Sequence, residues 1–122
     1  MSGIDFLADT NAIVYLLSGN NCMKPFLQKT VAVSVISYME LLSFPSITDD
    51  EEKRIRQFLS ICDLIQIDKQ VMEKTIELRR RHKIKLPDAI IAATAIIHNI
   101  PLITADTRFC KIDCLKMEQI KP

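Results

Sequence analysis

Short apolar runs that stop beside an acidic residue alternate with helical segments along this chain. Residues 4–8 end at Asp9, and Leu102–Thr104 ends shortly before Asp106. A third run, residues 31–36, is rich in the β-branched side chains that favour strands. Strands that alternate with helices indicate a parallel sheet with helices on both faces. We therefore expect an α/β fold, a three-layer α/β/α sandwich around a central, mainly parallel sheet.

Local signals predict where the individual elements begin and end. We expect strands at residues 4–8, 31–36, 63–67, Leu102–Thr104 and, at an edge, 112–117. We expect helices at residues 11–17 and 37–44, from a capping box at 48–51, from Asp68 into a basic run, and at 87–97, with a helical turn at 24–29. The helix after Asp68 should bury Val71, Met72 and Ile76.

Size and composition predict one globular domain over residues 1–122. The chain is 48% hydrophobic and 25% charged, which suits a compact core rather than a disordered chain. It shows neither a secretory signal nor an apolar run of ~20 residues that could span a membrane. We therefore expect a cytoplasmic protein with reduced cysteines. Cys110 and Cys114 have a spacing that suits metal binding, but a zinc site needs a second pair of ligands, which His82 and His98 do not form.

The positive charge of the chain is concentrated in one segment. The formal net charge is only +1. Between Glu77 and Asp88 there is no acid, and the segment carries five cations: Arg79, Arg80, Arg81, Lys83 and Lys85. Such a cluster could attract an RNA backbone. It also fits a solvated helix end, where cations are favoured by the helix dipole, so both interpretations stay open.

Two of the acids that interest us have structural explanations. Asp9 could cap the first helix, although Thr10 or Asn11 could do so equally well. Glu40 stands three residues after Ser37, which is the spacing of a capping box. An ionised carboxylate in so apolar a helix is nevertheless costly unless it finds a partner or a metal.

The other two acids are equally ambiguous when each is considered alone. Asp88 suits the first turn of a helix, and Asp106 suits a loop turn. Together, however, the four acids fall where strands end or helices begin, and ligands in parallel sheets bind at the carboxyl ends of the strands. Clustered carboxylates repel, and a divalent cation such as Mg²⁺ or Mn²⁺ removes that penalty.

Four short segments, in order, resemble the PIN-domain family and most closely its VapC-like toxin ribonucleases. They are LADTN at residues 7–11, VISYMEL at 35–41, LPDAIIAATA at 86–95 and LITAD at 102–106. The resemblance extends from Phe6 to about Met117. One departure is the approach from Asp106 to Phe109, which is shorter than in many members of the family.

The resemblance implies a PIN-like sandwich, a homodimer, an RNA substrate and inhibition by a cognate antitoxin. It implies that Mg²⁺ or Mn²⁺ is held by four residues, which are also catalytic: Asp9, Glu40, Asp88 and Asp106. Asn11 and Thr104 would be supporting polar groups. Phe44, Phe58 and Leu59 could contact the antitoxin or belong to the core.

The hypothesis is therefore a metal-dependent endoribonuclease that acts as the toxin of a type II toxin–antitoxin pair. One alternative is a phosphoester hydrolase with an aspartyl nucleophile. That class carries a second Asp two residues after the first, where this chain has Asn11. The other alternative is a non-catalytic module of the same fold that binds RNA or protein.

Overall fold

A parallel sheet forms the centre of the protein. The computed structural model describes residues 3–122, and within that range the strands are β1 (Phe6–Ala8), β2 (Val31–Ser34), β3 (Asp63–Ile65), β4 (Leu102–Thr104) and β5 (Met117–Gln119). Their order across the sheet is β3-β2-β1-β4-β5, and each neighbouring pair runs parallel. The predicted α/β architecture is confirmed, and β1 lies at its centre.

Helices connect the strands and begin at clear sequence signals. They are α1 (Thr10–Leu17), α2 (Val35–Leu42), α3 (Asp49–Ile61), α4 (Lys69–Arg81) and α5 (Leu86–Ile97), with 3₁₀ helices at Asn21–Phe26 and Thr107–Lys111. The predicted capping box is present, because Thr48 and Glu51 exchange hydrogen bonds of 3.0 and 3.1 Å at the start of α3. Asp68 accepts from the Val71 amide at 2.9 Å and starts α4.

Alternation along the strands creates a core on each face of the sheet. In β1, Leu7 packs with Val71 and α5 on one face, while Phe6 and Ala8 pack with Ile13 of α1 on the other. Successive strand residues point to opposite faces, so one short apolar strand serves both cores. The helices on both faces give the predicted three layers.

The prediction of which α4 residues are buried was only partly right. Val71 is fully buried, but Met72 and Ile76 are 47% and 44% exposed. The inward stripe is Val71, Thr75 and Leu78, whose spacing of four and three residues keeps them on one helical face. Met72 and Ile76 each follow a member of that stripe and are rotated away from the core.

The last strand begins later than the sequence predicted. Residues 112–116 turn locally, since the Leu115 amide donates to the Ile112 carbonyl at 3.2 Å. Pairing with β4 starts only at Met117, opposite Leu102. The apolar residues of this segment therefore cap the core without joining the sheet: Ile112 is buried and lies in the core on the Leu7 face.

The most apolar helix is short. Helix α5 has 12 residues, which corresponds to about 18 Å at 1.5 Å per residue. A bilayer core is about 30 Å thick. No helix within residues 3–122 is long and apolar enough to cross a membrane.

Candidate active site

The carboxyl ends of β1 and β4 bring Asp9 and Thr104 together. The two strands are neighbours, with Ala8 opposite Ile103. The Thr104 hydroxyl donates to Asp9 Oδ2, and the Ala12 amide donates to Asp9 Oδ1 at 2.8 Å. Asp9 therefore caps α1 itself, although Thr10 or Asn11 could have done so. Its carboxylate is held on both oxygens and is only 7% exposed.

Thr104 connects two of the candidate acids. Its side chain is fully buried, and its hydroxyl accepts from the Asp106 amide at 3.0 Å while it donates to Asp9. The position of the loop after β4 is thus tied to the carboxylate after β1.

Glu40 makes a tertiary contact in place of the capping box that its spacing from Ser37 allowed. The cap of α2 is Ser34, which accepts from the Ile36 amide at 3.2 Å, so Ser37 is inside the helix. The Thr10 hydroxyl donates to Glu40 Oε1 at 2.6 Å and lies 2.9 Å from Ser37 Oγ. Because Thr10 follows Asp9 directly, this bond holds Glu40 beside the start of α1.

Asp88 stands in the first turn of α5 as a half-buried carboxylate. Lys85, the residue that caps this helix, makes no side-chain capping bond among the described residues. Burial raises the pKa of Asp88, and the nearby Asp106 and Glu40 carboxylates raise it further, against the influence of Arg108. Its charge is therefore incompletely compensated by the protein.

Asp9 shares this electrostatic environment. Burial raises the pKa of Asp9, and the Asp88 and Asp106 carboxylates add to the increase, while the bond from Thr104 opposes it. The carboxylates from β1, α5 and the β4 loop are therefore near enough to one another to interact electrostatically. Glu40 influences Asp88 in the same way. Neighbouring carboxylates repel one another, and a bound cation relieves that repulsion.

Asp106 differs from the other acids because it has a guanidinium partner. It starts the 3₁₀ helix Thr107–Lys111, and Arg108 Nε and Nη2 donate to its oxygens at 3.0 and 2.6 Å. These bonds with Arg108 lower the pKa of Asp106. Arg108 was not among the site residues predicted from the sequence. The available signal was an Asp followed two residues later by an Arg at a strand end.

The chemistry of these side chains fits a hard divalent cation. All four acids offer oxygen ligands, which Mg²⁺ and Mn²⁺ prefer. Across residues 3–122, no three Asp, Glu, His or Cys side chains form a ready-made metal cage. Mg²⁺ does not require one, because it keeps several waters and is usually held by one or two carboxylates. Cys110 and Cys114 are exposed free thiols.

Two different surfaces flank the acids. A cleft of about 490 Å³ opens at Asp88 and Asp106, and its walls include the cations Arg79, Lys83, Lys85, Arg108 and Lys111. A groove of about 740 Å³ lies on the Glu40 side, where the exposed Asn11 lines it beside Val14 and Phe44. We call these surfaces the cationic cleft and the apolar groove.

The predicted basic run divides between two places. Arg79, Lys83 and Lys85 line the cationic cleft, whereas Arg80 and Arg81 line a different surface together with Ile97. Neighbouring residues of a helix point about 100° apart, so three consecutive arginines cannot share one face. The structure thus brings three of the five predicted cations near the acids and leaves two away from them.

Comparisons with known proteins agree with this architecture. The chain is similar to a toxin–antitoxin complex from Klebsiella pneumoniae, with 37% identity over 90% of this chain and 94% of that chain and a TM-score of 0.79. It is also similar to VapBC2 from Rickettsia felis bound to a promoter DNA fragment, with 25% identity over 95% and 98% of the two chains and a TM-score of 0.80. The comparison with curated proteins gave no match.

The sequence also matches the sequence model of a known protein family. The model for the PIN domain matches residues 6–115. That range includes β1 with Asp9, α2 with Glu40, α5 with Asp88 and the β4 loop with Asp106. This chain belongs to the PIN domain family.

Proposed function

We propose that this protein is a metal-dependent endoribonuclease and the toxin of a type II toxin–antitoxin pair. The observation that carries the proposal is the convergence of four carboxylates at one end of a parallel sheet, where Asp9 and Asp88 have raised pKa values. The toxin assignment is supported by the relative from Klebsiella pneumoniae, which was solved as a toxin–antitoxin complex, and by the similarity to VapBC2. Mg²⁺ or Mn²⁺ is the proposed cofactor, and the proposed location is the cytoplasm.

In this proposal the protein holds four acids around the phosphodiester that is cut. Asp9, Glu40 and Asp88, together with Asp106 beside Arg108, would hold the divalent ion, partly through the waters that such an ion keeps. When bound, the ion supplies Lewis-acid polarisation of the phosphodiester and of the attacking water. Thr104 orients Asp9 through the hydrogen bond described above. Thr10 orients Glu40.

RNA cleavage by the purified, antitoxin-free protein tests the proposal. We expect cleavage with Mg²⁺ or Mn²⁺, none with EDTA, and a loss of about a hundredfold or more in Asp9→Asn, because even outer partners of a metal ligand are worth 10–100-fold. Asp113→Asn is the matched control, since Asp113 is an exposed acid outside the site. Metal-independent cleavage, or equal losses in both variants, would contradict the proposal. Turnover of a small phosphate ester without RNA cleavage would favour the phosphoester hydrolase.

The apolar groove is the surface we assign to the antitoxin. It reaches Glu40, and Phe44 is 66% exposed there. Of the three aromatic or aliphatic residues named from the sequence, Leu59 is buried and Phe58 is half-buried, so only Phe44 is freely available. An apolar segment of the antitoxin would cover Phe44 and close the Glu40 side of the site.

Charge introduced into the groove tests this assignment. We expect Phe44→Glu to abolish retention of a tagged cognate antitoxin, because antitoxin binding would remove a carboxylate from water in a mostly apolar contact. Ile61→Glu is the matched control, since Ile61 is 82% exposed and does not line the groove. Retention by Phe44→Glu at the level of the control would refute the assignment. The proposed homodimer is tested by light scattering of the isolated toxin.

A further inference from the structure

The cationic cleft carries a local excess of positive charge beside the acids. Its walls hold five exposed cations, and the acids that line it within residues 3–122 are Asp88 and Asp106. The cations come from two separate parts of the chain. The end of α4 and the following loop supply Arg79, Lys83 and Lys85, and the segment after β4 supplies Arg108 and Lys111.

Most of these cations have no acidic partner to neutralise them. Among the described residues, Arg79, Lys83, Lys85 and Lys111 form no ion pair within 4 Å. Arg79 is held in place by the bond from its Nε to the Ile84 carbonyl at 3.3 Å. Its terminal nitrogens therefore remain available in a side chain that is already partly ordered.

The surface that holds the other two arginines has a different character. Arg80 and Arg81 share it with Glu73 and Glu77. Glu77 pairs with Lys74 at 3.1 Å and with Arg81 at 3.7 Å. The positive charge of this surface is thus partly compensated within the protein. None of the four candidate acids lines this surface. The cationic cleft therefore has unpaired cations beside the candidate acids, whereas this surface does not.

We propose that the cationic cleft binds the RNA strand on one side of the phosphate that is cut, and that Arg80 and Arg81 take no part. This inference rests on the proposed ribonuclease function and specifies how its substrate lies. Arg79, Lys83, Lys85 and Lys111 contact successive backbone phosphates, without reading the bases. Arg108 stands where the strand meets the acids, between Asp106 and the scissile phosphate.

Two double variants with the same change in charge separate the cleft from the other surface. Arg79→Gln with Lys83→Gln removes two cations from the cleft. Arg80→Gln with Arg81→Gln removes two from the same segment but outside it. Both are made in an Asp9→Asn background, so that the RNA stays intact. Affinity for a fluorescent single-stranded RNA of mixed sequence is measured by anisotropy from 50 to 200 mM salt without divalent ions.

The expected effect follows from counterion release. For single-stranded RNA the slope of log affinity against log salt falls by about 0.7 for each lost phosphate contact. The cleft variant should thus reduce the magnitude of the slope by about 1.4. If the parent and the variant bind equally at 1 M salt, the variant then binds about 25-fold more weakly than the parent at 0.1 M salt. The control should keep the parent slope. Lys111→Gln, from a separate element, should lower it by about 0.7.

Each outcome decides between the alternatives. Equal slopes for the two double variants would overturn the proposal that RNA binds in the cleft, because all the cations of the basic run would then attract RNA equally, whichever surface they line. An unchanged slope in both the cleft variant and Lys111→Gln also overturns it. If the wild-type protein cleaves RNA with metal while these slopes are unchanged, the proposed function survives and only the cleft fails. If the protein neither binds nor cleaves RNA, both proposals fail.

Discussion

The buried hydroxyl of Thr104 offers the sharpest test of how the site is built. Replacing Thr104 by valine keeps the shape of the side chain and removes the hydroxyl. Two hydrogen bonds disappear, one donated to the Asp9 carboxylate and one accepted from the Asp106 amide. Because Thr104 is fully buried, water cannot easily replace either bond.

The expected loss of stability follows from these two bonds. A hydrogen bond to a charged group contributes about 1.5–3 kcal/mol, and a neutral one about 0.5–1.5 kcal/mol. Thr104→Val should therefore lower the free energy of unfolding by about 2–4 kcal/mol. For a chain of this length, that is a decrease in Tm of roughly 8–16 °C.

A second buried threonine supplies the matched control. Thr94 is also buried, but its hydroxyl donates to the Ile90 carbonyl at 2.7 Å within α5. That carbonyl accepts a helical N–H as well, so Thr94→Val should cost about 1 kcal/mol or less. Urea unfolding of both variants without metal compares the two costs directly.

The same pair of variants separates stability from function. Loss of the Thr104 bond should raise the pKa of Asp9 further, since that bond opposes the effect of burial. The acidic limb of the rate-against-pH profile should then move to higher pH in Thr104→Val and stay in place in Thr94→Val. If Thr104→Val is within about 0.5 kcal/mol of Thr94→Val, or if its acidic limb does not move, the reasoning is refuted.

Three further predictions concern charge at the site. Burial raises the pKa of Asp9, so its ionised form destabilises the metal-free fold. Asp9→Asn should then be about 1 kcal/mol more stable at pH 7. The wild type recovers stability as the pH falls through the raised pKa of Asp9, so the stability advantage of Asp9→Asn should shrink in acid. If urea unfolding shows the same advantage at every pH, ionisation of Asp9 is not its cause. Mg²⁺ at a hundred times its Kd should stabilise the wild type by about 2.7 kcal/mol in thermal melts, and an equal shift in Asp9→Asn argues against Asp9 as a ligand. Arg108→Gln should raise the pKa of Asp106, because bonds with Arg108 lower it; an unchanged NMR titration of the Asp106 carboxyl rules this out.

Much of the architecture was predictable because its signals are local. β-Branched runs and helix caps such as Thr48 and Asp68 depend on neighbours within four residues. The grouping of Asp9 with Asp106 was also predictable, since parallel strands end at a common edge. Glu40 and Asp88 joined this group because they too fall where helices begin, and the family resemblance implied the same four acids. The PIN assignment was confirmed, while the roles of the four acids remain predictions.

The errors arose where a local signal competed with a tertiary one. Ser37 and Glu40 had the spacing of a capping box, but Ser34 starts the helix and Glu40 bonds with Thr10 of another helix. The apolar segment before β5 was read as a strand. It turns locally because burial of Ile112 can be achieved without pairing.

The sequence alone therefore determined the order of strands and helices and the positions of the acids along the chain. These depend on period, caps and chain direction, which are properties of adjacent residues. Only the tertiary structure decided that Thr104 joins Asp9 to the β4 loop, that Glu40 bonds with Thr10 of another helix, and which part of the basic run lies beside Asp88 and Asp106. Each of these depends on how elements distant in sequence are rotated against one another, and that rotation follows from packing of the whole core.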